Sequence, residues 1–141
     1  MREDIWVMKN PTRTFDLAER LIRFASLIIG LCETLPPTFA ARHIAGQLIR
    51  SGTAPALHYG EAQGGESRKD FIHKMKIALK ELRETFNALR IVQTMKWFSN
   101  DKLGPVLDEN NQLISIFVRS IETAARNDKK HNEPGASNGE R

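Results

Sequence analysis

The chain has 141 residues, which is the length of one domain with a single continuous core. Its formal net charge of +4 and pI near 9.5 favour anionic partners, although only weakly because the excess is small. One cysteine, Cys32, excludes an intramolecular disulfide, and the longest apolar stretch, around ASLIIGLC, is too short to span a membrane. These features predict a cytoplasmic protein with no membrane segment.

The first predicted helix runs from about Thr14 to Thr34. Its apolar residues follow alternating steps of four and three, the spacing of packed helices: Leu17, Leu21, Phe24, Ile28, Leu31 and Leu35. Thr12 or Thr14 can cap its start. Pro36 and the proline after it should end it, because proline lacks an amide donor and restricts the residue before it.

The second predicted helix runs from Phe39 to Glu61, with Thr38 as its cap. Residues that disfavour helices lie inside it: Gly46, Gly52 and Pro55. Packing must therefore hold this helix together, and Pro55 should kink it. Small residues would let a neighbouring helix approach its backbone closely: Ala45, Gly52 and Ala56.

The third predicted helix runs from Ser67 to Lys96 and has the clearest apolar seam: Phe71, Met75, Ala78, Leu82, Thr85, Leu89 and Val92. Ser67 with Asp70 three residues later has the pattern of a capping box. A loop near SNDKLGP should follow. A fourth helix then has the apolar residues Leu107, Ile114, Phe117, Ile121 and Ala124, and Asn110 falls on the same seam, where a lone polar residue can fix the register.

Four helices with short connections predict an all-α fold, an antiparallel up-down four-helix bundle in a single domain. We expect residues 1–12 to be a flexible N-terminus and residues 13–126 to form the bundle. Residues 127–141 contain no apolar side chain larger than alanine, so we expect a disordered C-terminal tail.

The stretch GEAQGGES, residues 60–67, matches a phosphate-binding loop except that Glu66 stands where a lysine is needed. Such a loop follows a strand and holds its phosphate with backbone amides and that lysine. Here a helix precedes Gly60, and Glu66 would repel an anion. The stretch is therefore predicted to be a turn between two helices.

Residues 47–85 resemble the signature of the four-helix-bundle proteins encoded in intervening sequences of bacterial 23S ribosomal RNA genes, and the resemblance extends more loosely from Phe15 to about Arg126. The matching positions are Gln47, Leu48, Ser51, Gly52, Thr53, Tyr59, Glu61, Ala62, Ser67, Phe71, Lys74, Ala78, Lys80 and Glu81. The chain departs from this family at Ala54, Pro55 and His58, where members often have a serine, a small residue and an asparagine.

This family is related to the accessory protein of diversity-generating retroelements, a pentameric barrel that binds nucleic acid and a reverse transcriptase. The resemblance therefore implies a homo-oligomer, most simply a homopentamer. It also implies RNA or DNA, and a reverse transcriptase or another protein, as partners. Apolar positions off the main seams independently favour association: Ile22, Ile29, Ile49 and Phe86.

The strongest functional feature is a set of cations on the third helix: Lys69, Lys76, Lys80, Arg83 and Arg90. At 100° per residue they share one face opposite the apolar seam, over roughly 30 Å. Such a stripe can contact nucleic-acid phosphates, or it can be a solvated face that keeps the protein soluble. Asn87 lies on the same face, and Glu84 at its edge can pair with Lys80.

Other candidate sites are weaker. His58 and Glu61 lie one helical turn apart, and His43 and His73 lie on neighbouring elements. The Glu-x-x-His motifs of di-iron bundles are absent, so we predict no metal or other cofactor. Cys32 has no basic neighbour in sequence, so we predict a buried, unreactive thiol. Trp97 and Phe98 beside Lys96 either stack on bases or close the end of the bundle.

No nucleophile and base pair is recognisable, so we do not expect an enzyme. The sequence favours a noncatalytic homo-oligomer that binds nucleic acid through the third helix. The alternative is a structural or protein-interaction module that binds no nucleic acid.

Overall fold

A computed structural model describes residues 16–132 of the chain. Within that range the chain forms four helices and no strand: α1 (Leu17–Cys32), α2 (Phe39–Gln63), α3 (Arg68–Thr94) and α4 (Asn100–Asn132). Each helix packs antiparallel to the next, and α1 also meets α4, although along a shorter stretch. The predicted antiparallel up-down four-helix bundle is confirmed.

Helix α1 begins later than predicted. Its cap is Asp16, whose side chain accepts a hydrogen bond from the amide of Glu19 at 3.1 Å, rather than Thr12 or Thr14, which lie outside the described residues. A carboxylate at this position satisfies a free amide and interacts favourably with the helix dipole. The helix ends at Cys32, two residues before the predicted Thr34.

Helix α2 begins as predicted, since the Thr38 hydroxyl accepts a hydrogen bond from the amide of Ala41 at 3.2 Å. It continues through the buried Pro55 to Gln63. The predicted close approach occurs at Gly52, where an added Cβ atom would lie only 2.9 Å from the Ile28 side chain. The absence of a side chain at Gly52 is what lets α1 pack this close to α2.

Helices α2 and α3 are joined by a turn, as predicted, but only the second half of GEAQGGES forms it, because residues 60–63 are the last turn of α2. Gly64 ends α2, and the Ser67 hydroxyl caps α3 by accepting a hydrogen bond from the amide of Asp70 at 3.0 Å. An added Cβ atom on Gly65 would lie 2.6 Å from the Asp70 carboxylate. The turn is therefore built by helix caps, with no phosphate-loop geometry.

Helix α3 ends at Thr94, and the chain then leaves it through a left-handed residue, Lys96, with φ of 59°. The Lys96 amide donates to the carbonyl of Gln93 and the Trp97 amide donates to the carbonyl of Val92. This is the Schellman arrangement, in which the left-handed position is normally glycine. The lysine at this position was not predicted.

Helix α4 is longer than predicted at both ends. It starts at Asn100, so most of the stretch predicted as a loop is helical, and the amide of Lys102 donates to the Ser99 hydroxyl at 3.3 Å. Pro105 lies inside the helix, in the second turn, where it removes one backbone hydrogen bond. The helix continues to Asn132, into the segment predicted to be a tail, because adding residues to a formed helix costs little. Residues 1–12 and 133–141 lie outside the described residues.

The core runs along the bundle axis and uses the predicted seams of α1 and α3. On α4, Phe117 and Ile121 are buried as predicted, but Leu103, Val106 and Leu113 were missed, and the predicted Leu107, Ile114 and Ala124 are only half-buried, because apolar residues stand at adjacent positions along this helix. Its largest fully buried side chains are Phe24, Phe117, Leu21, Ile28, Leu48, Met75, Leu82, Leu89, Leu103 and Leu113. Asn110 is fully buried among them, as its place on the α4 seam predicted. Its amide nitrogen donates to the carbonyl of Leu82 at 3.1 Å, and its oxygen has no protein partner among the described residues.

Candidate nucleic-acid interface

The structure brings the five predicted cations of α3 together on one exposed face. These are Lys69, Lys76, Lys80, Arg83 and Arg90, which we call the basic stripe. The helical periodicity that buries Met75, Leu82 and Leu89 turns these side chains toward solvent. The exposed His73 and Asn87 lie on the same face.

None of the five stripe cations forms an ion pair with another described residue. Three cations elsewhere do: Arg20 pairs with Glu109, Arg50 with both Glu81 and Glu84, and Lys74 with Glu61. The stripe is therefore a surface whose positive charge is not neutralised within residues 16–132, as phosphate contact requires.

Glu84 does not pair with Lys80 as expected. It accepts a hydrogen bond from Arg50 of α2 at 3.1 Å, because the guanidinium reaches across the α2–α3 groove. That hydrogen bond is the main reason that the pKa of Glu84 lies below its usual value. Lys80 acts on Glu84 only as a nearby charge, without a close ion pair, so its ammonium stays available for other contacts.

A cleft of about 550 Å³ opens where α3 passes into α4. Its lining residues are Gln93, Lys96, Trp97, Phe98, Ser99 and Asn100. Trp97 and Phe98 are half-buried, and the Lys102 ammonium lies 5.0 Å from the centroid of the Phe98 ring. A second cleft of about 700 Å³ lies at the opposite end of α3, between Arg68 and Arg119.

Several residues of the family motif connect α2 to α3. The hydroxyl of Ser51 lies 2.8 Å from that of Thr85 in the buried groove between the two helices. Arg50 donates to Gln47 on its own helix and to Glu81 on α3, each at 3.2 Å. Thr85 was predicted as part of the α3 seam, but its hydrogen bond with Ser51 was not. Arg50 and Lys74 were both possible partners of Glu61 from the sequence; Lys74 is the one that pairs with it, and Arg50 pairs with Glu81 and Glu84 instead.

Five other motif residues lie nearer the α2–α3 turn. Glu61 lies 3.6 Å from Lys74 on α3 and 3.1 Å from His58, and these two partners hold the pKa of Glu61 below its usual value, with the His58 hydrogen bond the larger cause. Tyr59 packs edge-on against Phe117 of α4, with ring centroids 6.2 Å apart, and accepts a hydrogen bond from Gln63. Ser67 caps α3, and Phe71 packs against the core.

The candidate reactive groups sit in ordinary surroundings. Cys32 is buried, its thiol lies 3.6 Å from the carbonyl of Ala45, and burial raises its pKa to about 11. A thiol of this pKa is protonated and unreactive at neutral pH. Among the described residues, no three His, Cys, Asp or Glu side chains gather as metal ligands would, and His58 has Glu61 beside it rather than a second histidine.

Large apolar side chains remain exposed on α1 and α2. Ile22 and Ile29 lie on one side of α1, and Ile49 and Leu57 lie on α2, with Leu57 69% exposed. Phe39, the first residue of α2, is 83% exposed. Phe86, which was grouped with them from the sequence, is only partly exposed.

Comparison with known protein families matches residues 13–119 to the 23S rRNA-intervening sequence proteins. The chain belongs to this family. Its fold is similar to that of a protein of unknown function from the S23 ribosomal protein family of Bacteroides thetaiotaomicron VPI-5482, with a TM-score of 0.71 and 25% sequence identity. That similarity covers 75% of this chain and 98% of the other.

No curated protein matches the chain. In the described part of the chain, no helix combines the length and the apolar character needed to cross a bilayer.

Proposed function

We propose that this member of the 23S rRNA-intervening sequence family is a noncatalytic homo-oligomer that binds nucleic acid through the basic stripe of α3. The observation that carries the proposal is a row of five exposed cations, none of them in a close ion pair with another described residue, over roughly 30 Å of one helix face. Lysine and arginine in such a row attract phosphates and release their counterions, without reading the base sequence. A cytoplasmic location is part of the proposal, since a lone cysteine favours a reducing compartment.

The homo-oligomer is proposed from the exposed apolar side chains. Ile29 follows Ile28, and Ile49 lies one turn before Gly52, so both are near the position where Ile28 packs against Gly52. An apolar surface at this position favours burial by a second copy. The count of five subunits rests on the resemblance to the accessory protein of diversity-generating retroelements. A ring would repeat the stripe and strengthen phosphate binding.

Binding of a labelled oligonucleotide, followed by fluorescence anisotropy over a range of salt concentrations, tests the phosphate contacts. We expect affinity to fall steeply with salt and to be much weaker when Lys76, Lys80 and Arg83 are changed to glutamate. Because three phosphate contacts disappear, the slope of log K against log salt should fall by roughly 2 to 3.

The matched control reverses three exposed arginines away from the stripe, with the same change in net charge: Arg23, Arg119 and Arg126 to glutamate. If both triple variants weaken binding equally, net charge rather than the stripe attracts the nucleic acid. Affinity that does not depend on salt would contradict the proposal outright.

The alternative, a protein-interaction module, is favoured by Phe39 and Leu57, which are too exposed to serve the core. A reverse transcriptase is the partner that the family resemblance suggests. Retention of such a partner after nuclease treatment would favour the alternative if changing Phe39 and Leu57 to serine abolishes it. The stripe variant should then keep the partner.

A further inference from the structure

We propose that the nucleic acid bound by this protein is single-stranded, and that one of its bases stacks on Trp97 in the cleft where α3 passes into α4. This inference rests on the proposed function, because the basic stripe supplies the phosphate contacts. The cleft adds a contact to a base, which the stripe alone does not provide.

The cleft has the size and the lining of a site for a flat aromatic ring. Its volume of about 550 Å³ lies within the range of small-molecule sites, roughly 300–1,000 Å³. Trp97 is half-buried, so its ring is anchored on the core while part of its surface remains accessible. Phe98 is less available, because the Lys102 ammonium already lies 5.0 Å from its centroid.

The cleft continues the basic stripe. Arg90, the last cation of the stripe, lies one helical turn before Gln93, which lines the cleft, so the two side chains are neighbours on α3. The left-handed residue Lys96 turns the chain away from the helix axis and itself lines the cleft. A strand whose phosphates follow the stripe therefore reaches Trp97 at its end.

A single strand fits this arrangement better than a duplex. In a duplex the base faces are stacked on one another, whereas an unpaired base can present its face to an aromatic side chain. The side-chain amides of Gln93 and Asn100 both donate and accept hydrogen bonds, so they suit the edge of any base. We expect a preference for single strands with little preference for sequence.

Tryptophan fluorescence tests the stacking directly in an otherwise intact protein. The chain has two tryptophans, so the Trp6→Phe variant leaves Trp97 as the only indole. We expect an oligothymidylate to quench its emission, because a stacked base contacts the ring. An abasic oligonucleotide of the same length and a duplex should leave the emission unchanged even when they are bound.

The affinities of the same three probes give a second measurement. Trp97→Ala should weaken binding of the oligothymidylate about 10-fold, as expected for one stacked base. The affinity of the same variant for the abasic strand should equal that of the wild type. Trp97→Phe should recover most of the loss because it keeps an aromatic face. Leu57→Ala, an exposed apolar residue on α2, is the control. Circular dichroism shows whether each variant keeps its helices.

The outcomes separate this inference from the proposed function. If the protein binds none of the three probes, both the proposed nucleic-acid binding and the stacking on Trp97 are wrong. Equal affinity for all three probes, with no effect of Trp97→Ala, leaves phosphate binding by the stripe in place and overturns the stacking. Equal weakening of every probe by Trp97→Ala, without quenching, also overturns it, because Trp97 would then only support the fold.

Discussion

Lys96 occupies a backbone conformation that costs a residue with a side chain about 1–2 kcal/mol, because its Cβ atom approaches the following carbonyl. Glycine has no such cost and is the usual residue at this position of a Schellman cap. A functional role for the lysine in the cleft would explain why the strain is kept.

We therefore predict that Lys96→Gly raises the free energy of unfolding by about 0.5–1 kcal/mol. The gain is smaller than the strain removed because glycine increases the conformational entropy of the unfolded chain. Urea denaturation followed by circular dichroism measures this change. Lys96→Ala removes the same charge but keeps a Cβ atom, so it should bring no gain. If the two variants are equally stable, the left-handed conformation is not the source of the strain.

Asn110 is a second residue whose surroundings make a sharp prediction. Its amide nitrogen donates to the Leu82 carbonyl in the core, so an ionised carboxylate there would face that carbonyl oxygen without a cation beside it among the described residues. We expect Asn110→Asp to cost about 3–5 kcal/mol at neutral pH. Asn111→Asp, at the exposed neighbouring position, should cost less than about 0.5 kcal/mol.

The cost of Asn110→Asp should depend on pH. Burial raises the pKa of the new carboxyl above its unfolded value of about 3.9, so folding favours the protonated form, which can donate to the Leu82 carbonyl. The variant should therefore approach the wild type below about pH 4 and lose relative stability as the pH rises toward the folded pKa. A difference in unfolding free energy between the variant and the wild type that stays constant from pH 3 to 8 would show that the new carboxyl is hydrated in the folded protein.

At the scale of helices, two glycines of α2 have opposite roles. A Cβ atom on Gly52 would lie 2.9 Å from Ile28, whereas a Cβ atom on Gly46 would meet nothing within 4 Å. Gly52→Ala should destabilise the protein by about 1–3 kcal/mol, because overpacking outweighs the better helix propensity. Gly46→Ala should stabilise it by up to about 1 kcal/mol. Thermal unfolding of both variants checks this, and a shift in the same direction for both would contradict the packing argument.

Helices α1 and α4 are joined by the part-buried pair of Arg20 and Glu109. Two guanidinium nitrogens of Arg20 donate to the carboxylate at 2.7 and 2.8 Å, and this hydrogen bonding raises the pKa of Arg20. We expect Glu109→Gln to cost about 1–2 kcal/mol in unfolding free energy. A double-mutant cycle with Arg20→Ala should give a coupling energy; additive effects would mean that the pair does not stabilise the bundle.

The sequence predicts most of the helices, but it does not predict all of the side-chain contacts between them. The seams of α1 and α3 and the caps Thr38 and Ser67 were predictable because they depend on residues three or four positions apart. The start of α4 was missed because the letters around Pro105 also fit a turn. Arg20 and Glu109 are 89 residues apart, so no local pattern connects them. The stripe could be predicted, but its freedom from ion pairs could not, because that depends on Arg50 reaching Glu84 from another helix.

At the scale of the whole molecule, the proposed assembly through α1 and α2 makes a prediction about mass. The double variant Ile29→Glu and Ile49→Glu would place charges without partners in the proposed interface. It should therefore run as a single chain of 16.0 kDa in size-exclusion chromatography with light scattering. The wild type should run as a larger, single species. Leu27→Glu is the control, because Leu27 is also exposed but lies on another side of α1. A wild type of 16.0 kDa would rule out the homo-oligomer, and a dimer or tetramer would rule out only the count of five.

Chemical modification of the buried Cys32 thiol can report when α1, the shortest of the four helices, opens locally. The thiol is the last residue of α1, and a reagent in solution can modify it only when α1 separates from α2 or the whole bundle unfolds. The labelling rate of the native protein therefore measures the free energy of that opening. If α1 detaches alone, replacing Glu109 by glutamine will speed labelling while the amides of α2 and α3 exchange with deuterium as slowly as before. Faster exchange of all three helices together would mean that the bundle opens as one cooperative unit.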